Sequence, residues 1–215
     1  MIGLLRVLRA SPVTARLPEI PEAGRRYQSG LPLWGLSAGV MFVLAAFELG
    51  ILLEGLRSEQ VSSRAVALMF AECSIVMLAV NALLFFTPML NSSSAGRLLG
   101  MGLLLAMTGL AVLWVQPAHG WMYLGVSLTA AGTGLVLPVV SYLAAGVSRA
   151  ELAVTMGGLA AGASLGQTLG SAAGGWLFGA SPQHGFGWLA LPLLFLLALL
   201  PFRTTSGKSM KTLNL

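Results

Sequence analysis

Residues 31–56 read LPLWGLSAGVMFVLAAFELGILLEGL, a run of 26 residues with only two charged side chains, Glu48 and Glu54. A helix rises about 1.5 Å per residue, so this run is long enough to cross the roughly 30 Å hydrocarbon core of a bilayer. The run therefore predicts a transmembrane helix. Apolar blocks of similar length follow along the chain, and we place five further spans near residues 64–87, 98–116, 120–145, 152–179 and 186–202.

The composition of the whole chain supports a membrane protein. Its 215 residues are 56% hydrophobic and only 9% charged, whereas a soluble domain carries about a quarter charged residues. So few charges cannot coat a water-exposed surface of this size. We expect an all-α membrane protein, a bundle of six transmembrane helices over residues 31–202. A basic tail or linker precedes it at 1–30, and a short tail follows at 203–215.

The positive charges predict the orientation of the bundle. Short breaks between the blocks make successive helices antiparallel neighbours, so six spans return the chain to its starting side. Ten of the twelve Lys and Arg residues fall on that side, and such residues accumulate in cytoplasmic loops. We therefore expect a multi-pass protein of the plasma or inner membrane with both termini in the cytoplasm. Residues 1–30 also resemble a transit peptide, but a cytoplasmic tail lying on anionic lipid is the simpler interpretation.

Several classes of function are disfavoured by the sequence. The net charge of +5 is not gathered beside aromatic or polar residues that would read a nucleic acid. The single cysteine, Cys73, provides no thiolate cluster, and we expect neither a metal nor a cofactor. Ser164 lies in a G-x-S-x-G pattern, but the pattern is inside a glycine-rich span, and we predict His119 and His184 on the outer surface. We therefore do not expect an enzyme.

Two acidic residues, Glu48 and Glu72, interrupt apolar runs and are the candidates for chemistry. Counting from Arg57 and Arg64 places both carboxyl groups about 12–14 Å below the first outer loop, near mid-membrane. An ionised carboxylate there must face water, pair with a cation or take up a proton. We hypothesise that one or both carry protons, whereas the alternative is a Glu hydrogen-bonded to Ser or Asn across a helix interface. Glu54, nearer the loop, is expected to be solvated.

The fifth block contains glycines at a strict four-residue spacing. Such a row lets another helix backbone approach closely, which replaces the hydrophobic driving force that lipid lacks. Each four-residue step overshoots a turn by about 40°, so we expect the row to wind round the helix and to touch more than one neighbour. The packing candidates are Gly158, Gly162, Gly166, Gly170 and Gly174.

Polar side chains inside the second, fourth and fifth blocks predict a sparsely polar cavity. The candidates for its lining are Asn81, Thr129, Thr133, Ser141 and Gln167. For any one of them, a hydrogen bond between helices is the alternative. In the fourth block, Gly132 and Gly134 precede Pro138, and a proline inside a helix removes a hydrogen bond and favours a kink. We expect these three residues to form a hinge, or otherwise only to shape the bundle.

These features together resemble the C-terminal six-helix half of the major facilitator superfamily, in particular its proton-coupled drug exporters. The resemblance covers nearly the whole chain. It is strongest over residues 47–58 (FELGILLEGLRS), 132–138 (GTGLVLP) and 158–176, which end in GQTLGSAAGGW. Residues 17–21 (LPEIP) are similar to a linker between two halves. The loop at 90–97 keeps Gly96 and Arg97 but lacks the acidic residue and the second arginine of the family's loop motif.

The resemblance implies secondary active transport by alternating access, in which the first, second, fourth and fifth helices line a central cavity and the third and sixth face lipid. Two halves are needed to enclose such a cavity, so the expected partners are membrane lipid, a small-molecule substrate, protons, and a missing N-terminal half or a second copy. We expect efflux of a small hydrophobic or amphiphilic compound in exchange for protons. The alternative is a non-transporting membrane scaffold or an inactive fragment of a transporter.

Overall fold

A computed structural model of the chain describes residues 33–57, 62–87, 94–115, 119–146 and 149–200. Within these ranges there are six α-helices, one short 3-10 turn at Pro182–His184, and no strand. The expected tails at 1–30 and 203–215, and the linker-like residues 17–21, lie outside the described residues. The helices are α1 (Leu33–Arg57), α2 (Ser63–Phe86), α3 (Ala95–Val115), α4 (His119–Ala145), α5 (Arg149–Ala180) and α6 (Gly185–Leu199).

Five of these six helices, α1 to α4 and α6 with its preceding 3-10 turn, are long and apolar enough to cross a membrane. The prediction of a multi-pass, all-helical membrane protein is therefore confirmed at that level. α5 is the longest helix, at 32 residues, but it is not among the five. Its many glycine, serine and threonine residues lower its hydropathy, although its length exceeds what a span requires.

The helix bounds lie within three residues of those expected, and the differences have local causes. α2 begins one residue early because the Ser62 hydroxyl caps it, accepting a hydrogen bond from the Ala65 amide at 3.2 Å. α6 ends at Leu199 rather than 202 because Leu200, which precedes a proline, adopts an extended backbone with ψ of 124°. α3 begins at Ala95 rather than 98. The apolar run starts after Arg97, but this charged residue belongs to the first turn of the helix.

The most extensive helix contact joins α1 to α5, and the glycine row makes it possible. A Cβ added at Gly162 would lie 2.5 Å from the carbonyl oxygen of Trp34, and one at Gly174 would lie 2.9 Å from Ala46 Cα. Between them, Gly166 and Gly170 lie against the carbonyl groups of Ala38 and Phe42. The expectation of several neighbours is therefore corrected. The contacted residues of α1 also recur every four positions, so the two helices wrap around each other and stay in contact.

The order of these contacts gives the helix directions. Along α1 and α5 the paired positions increase together, so the two helices run parallel. α3 and α4 run antiparallel, because Gly102 packs against Gly132 whereas Gly109 packs against Gly125. Directions therefore alternate along the chain, as the short connections predicted. α4 packs against both α2 and α3. α6 packs against both α3 and α1.

Candidate functional site

Glu72 and Ser127 tie α2 to α4 through a short hydrogen bond. The Ser127 hydroxyl donates to Glu72 Oε1 at 2.5 Å. The second carboxyl oxygen, Oε2, is buried and has no hydrogen-bond partner among the residues that the structure describes. Buried polar atoms without partners are rare in folded proteins, and each one requires an explanation such as a water, an ion, a proton or a catalytic role. Ser127 thus holds Oε1 of Glu72 in place, whereas Oε2 is not engaged by any described residue.

Glu48, Glu72 and Ser127 lie at one depth in the bundle. Glu48 precedes the end of α1 by nine residues, Glu72 follows the start of α2 by nine, and Ser127 follows the start of α4 by eight. These three helix ends lie on the same side because helix directions alternate. At about 1.5 Å per residue, each side chain is roughly 12–14 Å from that end of the bundle.

Cys73 links the two acidic residues in space. Its thiol is buried and lies within electrostatic range of both Glu48 and Glu72. Cys73 directly follows Glu72 on α2, and Glu48 of α1 is close enough to influence the same thiol electrostatically. Glu48 is only partly buried and, within the part of the chain described, makes no hydrogen bond or ion pair. Glu48 and Glu72 both act electrostatically on Cys73, but they are not hydrogen-bonded to each other.

For Glu72, the structure contains the alternative raised from the sequence, a glutamate hydrogen-bonded to a serine across a helix interface. Ser127 itself was not among the sequence candidates. A single serine in an apolar run carries little information. The one signal that could have identified Ser127 is that it lies as far from the α4 start as Glu48 and Glu72 lie from the neighbouring ends of α1 and α2. The bond and a role in proton transfer are compatible, since Oε2 takes no part in the bond.

The five predicted cavity residues fall into two groups. Asn81, Ser141 and Gln167 are exposed at the surface of the bundle, where Asn81 donates to the Met77 carbonyl and Ser141 to the Leu137 carbonyl. Thr129 and Thr133 are fully buried. Their hydroxyl groups donate to carbonyls of α4 itself, at 2.9 Å in both cases, and Thr129 lies against Gly109 of α3. Neither threonine reaches an open surface, and each hydroxyl is satisfied within its own helix.

The predicted hinge residues lie inside one uninterrupted helix, α4, with Pro138 in its interior. A Cβ at Gly132 would lie 2.5 Å from the Gly102 carbonyl oxygen of α3, and one at Gly134 would lie 3.3 Å from Met77 Cα of α2. The two glycines therefore make room for different neighbouring helices. Their packing role is visible, and a hinge at these positions stays a prediction.

A further carboxylate, Glu54, lies at the end of the bundle where α1 terminates. From the sequence it was expected to be solvated. Glu54 is partly buried and lines a cavity of about 490 Å³ together with Trp114 and Phe186. Arg57, three residues later, donates instead to the Phe178 carbonyl of α5 at 2.6 Å. This bond joins the end of α1 to α5 and leaves Glu54 without an ion pair among the described residues.

Comparison of the chain with models of protein families, with curated protein sequences and with solved structures gives no match in any of the three. The resemblance to a major facilitator half accordingly stays a prediction from the sequence.

Proposed function

We propose that the chain is one half of a secondary transporter in a cell membrane, which exports a small hydrophobic or amphiphilic compound in exchange for protons. The observation that carries the proposal is the Glu72 carboxyl group. It lies at mid-depth and is anchored through Oε1 by Ser127, and its buried Oε2 has no partner within the described ranges. An ionisable side chain inside a membrane bundle usually marks an ion or proton pathway.

The surroundings of Glu72 support proton transfer in particular. Glu48 interacts with the same thiol and has no fixed partner among the described residues, so a second carboxyl group is available nearby. Removing a carboxylate from water favours its protonated form, whereas contact with water favours its ionised form. A cavity that opens alternately to the two sides would therefore load and unload a proton at this position.

The exposed surfaces of α2 and α5 support the need for a second half. Only 17% of the apolar stretch of α2 is buried, against 56% for α1. The exposed surfaces of α2, α4 and α5 also carry the polar residues Asn81, Ser141 and Gln167, which lipid solvates poorly. By contrast, the large exposed side chains of α6 are apolar. We propose that α5 also crosses the membrane, which brings the number of spans to six. An N-terminal half or a second copy of the chain then covers the polar surfaces.

Proton-driven transport in vesicles tests this proposal. The chain, with any adjacent gene product that encodes six further helices, is expressed, and efflux of a fluorescent amphiphile is followed together with internal pH. We expect substrate-dependent proton flux, with loss of coupling in Glu72→Gln and a weakened or lost coupling in Glu48→Gln. Glu59→Gln, in the predicted outer loop, is the matched control and should behave like the unmodified protein.

Unaltered coupling in both Glu72→Gln and Glu48→Gln would contradict the assignment of these residues. A folded, membrane-inserted bundle with no substrate-dependent proton flux in any assembly would instead favour the scaffold or inactive-fragment alternative.

A further inference from the structure

A cavity of about 490 Å³ lies at the outer end of the bundle, where α1 and α3 end and α4 begins. Its lining includes Glu54 of α1, Trp114 of α3, Met122 of α4, and Gln183 and Phe186 around the start of α6. Sites for small molecules are commonly concavities of roughly 300–1,000 Å³ with mostly apolar walls and a few polar groups. The cavity has the size and the mixed lining of such a site.

The charge in this cavity is negative. Among the described residues that line it, Glu54 is the only charged one. The nearest basic residue of the same helix, Arg57, is engaged by the Phe178 carbonyl. Glu54 has no ion pair among the described residues, so a cationic ligand would not have to displace one. Those residues contain no group of three potential metal ligands, and a single carboxylate is a poor site for a metal ion.

The aromatic residues Trp114 and Phe186 also line the cavity, and packing fixes the positions of their rings. The Trp114 ring lies against Gly187, where an added Cβ would come within 2.9 Å of it, and its centroid is 6.4 Å from that of His184. Phe186 packs edge-on against Phe178, with the ring centroids 4.8 Å apart. Rings attract cations to their faces, most strongly in tryptophan. A carboxylate and preorganised aromatic rings that line one cavity are the chemistry that recognises an organic ammonium group.

We propose that the cavity bounded by Glu54, Trp114 and Phe186 binds a small organic cation, an amine or quaternary ammonium with an apolar substituent. Glu54 provides the counter-charge, Trp114 provides the cation–π contact, and the apolar lining, including Met122, holds the substituent. The site does not depend on the proposed transport function, because it is separate from Glu48, Glu72 and Ser127 and requires no proton movement. Binding there would be found in a transporter and in a non-transporting scaffold alike.

Equilibrium binding to the purified full-length protein in detergent tests the proposal, with benzyltrimethylammonium as the probe and 3-phenyl-1-propanol as its neutral counterpart. We expect saturable binding of the cation only. Glu54→Gln, which keeps the shape of the side chain, should weaken binding at least tenfold, and so should Trp114→Leu. Gly187→Ala, which pushes the indole out of place, should weaken it several-fold. Trp188→Leu is the matched control, since this exposed tryptophan of α6 is not among the residues that line the cavity.

Size-exclusion profiles and melting temperatures show which variants are folded, and Glu54→Asp provides a second substitution at the same position, expected to keep measurable binding. The proposal is overturned if the unmodified protein shows no saturable binding of the cation. It is equally overturned if the neutral alcohol binds as tightly, or if folded Glu54→Gln binds the cation like the unmodified protein.

Discussion

Adding one methyl group to α5 at Gly162 should loosen the bundle, whereas the same change five residues earlier should not. In Gly162→Ala the new Cβ would lie 2.5 Å from the Trp34 carbonyl oxygen, and ordinary contact begins at 3.4 Å. The opposing atom belongs to the α1 backbone and cannot rotate aside, so the two helices must separate by roughly 0.9 Å at that position. Crowding of this kind costs about 1–3 kcal/mol.

Gly157→Ala is the matched control, because a Cβ there meets nothing within 4 Å. Both substitutions gain the helix preference of alanine over glycine, about 1 kcal/mol. That gain cancels when the two variants are compared, so their difference isolates the helix contact. We expect Gly162→Ala to be less stable than Gly157→Ala by about 1–3 kcal/mol.

Reversible denaturation in mixed micelles, followed by circular dichroism, measures this difference. Gly162→Ala should also weaken the hydrogen bond that Ser37 donates to the Leu159 carbonyl one turn away. Equal free energies of unfolding for the two variants would refute the close α1–α5 contact, because only the methyl group at Gly162 would meet the α1 backbone.

Three further predictions concern other contacts and the orientation. Ser127→Ala removes the one donor that Glu72 has among the described residues and should cost about 1–3 kcal/mol of unfolding free energy. Ser74→Ala, on an exposed serine bonded to its own helix, should change that free energy by less than about 0.5 kcal/mol. Arg57→Gln removes the bond to the Phe178 carbonyl and should cost about 1 kcal/mol, with the exposed Arg64→Gln as a neutral control. In a Cys73→Ala background, Ser63→Cys should react with an impermeant maleimide on intact cells, and Ser94→Cys only after permeabilisation; the reverse pattern would invert the orientation.

The helices could be predicted from the sequence because membrane spans are decided locally. The run of apolar residues required by a bilayer is continuous along the chain, so α1 was expected at 31–56 and is found at Leu33–Arg57. The alternation of helix directions followed from the short connections. The observed helix ends differ from the predicted ones by up to three residues, because local caps and turns, such as those at Ser62 and Leu200, decide where a helix begins and ends.

The partners of each helix could not be predicted in the same way, because they depend on surfaces far apart in sequence. The glycine row predicted a close helix contact but not the helix that makes it. The partner is a row of α1 positions that includes Trp34 and Phe42. These are large residues that do not look like a packing surface, and the contact is with their carbonyl groups. Thr129 and Thr133 show the same limit, since a hydroxyl can bond to its own helix and need not face a cavity.

The substitution Glu72→Gln separates a structural role of this residue from proton transfer. If Glu72 serves only to hold α2 against α4, the glutamine oxygen can still accept the Ser127 hydrogen bond, and both stability and function should survive. If Oε2 carries a proton in the transport cycle, glutamine should preserve the free energy of unfolding to within about 1 kcal/mol, because the bond through Oε1 is kept, yet abolish proton flux. Ser127→Ala should show the opposite pattern, with reduced stability and retained, though altered, flux. Retained proton flux in a stable Glu72→Gln variant would contradict a protonation role, because glutamine keeps the hydrogen bond to Ser127 but cannot take up and release a proton.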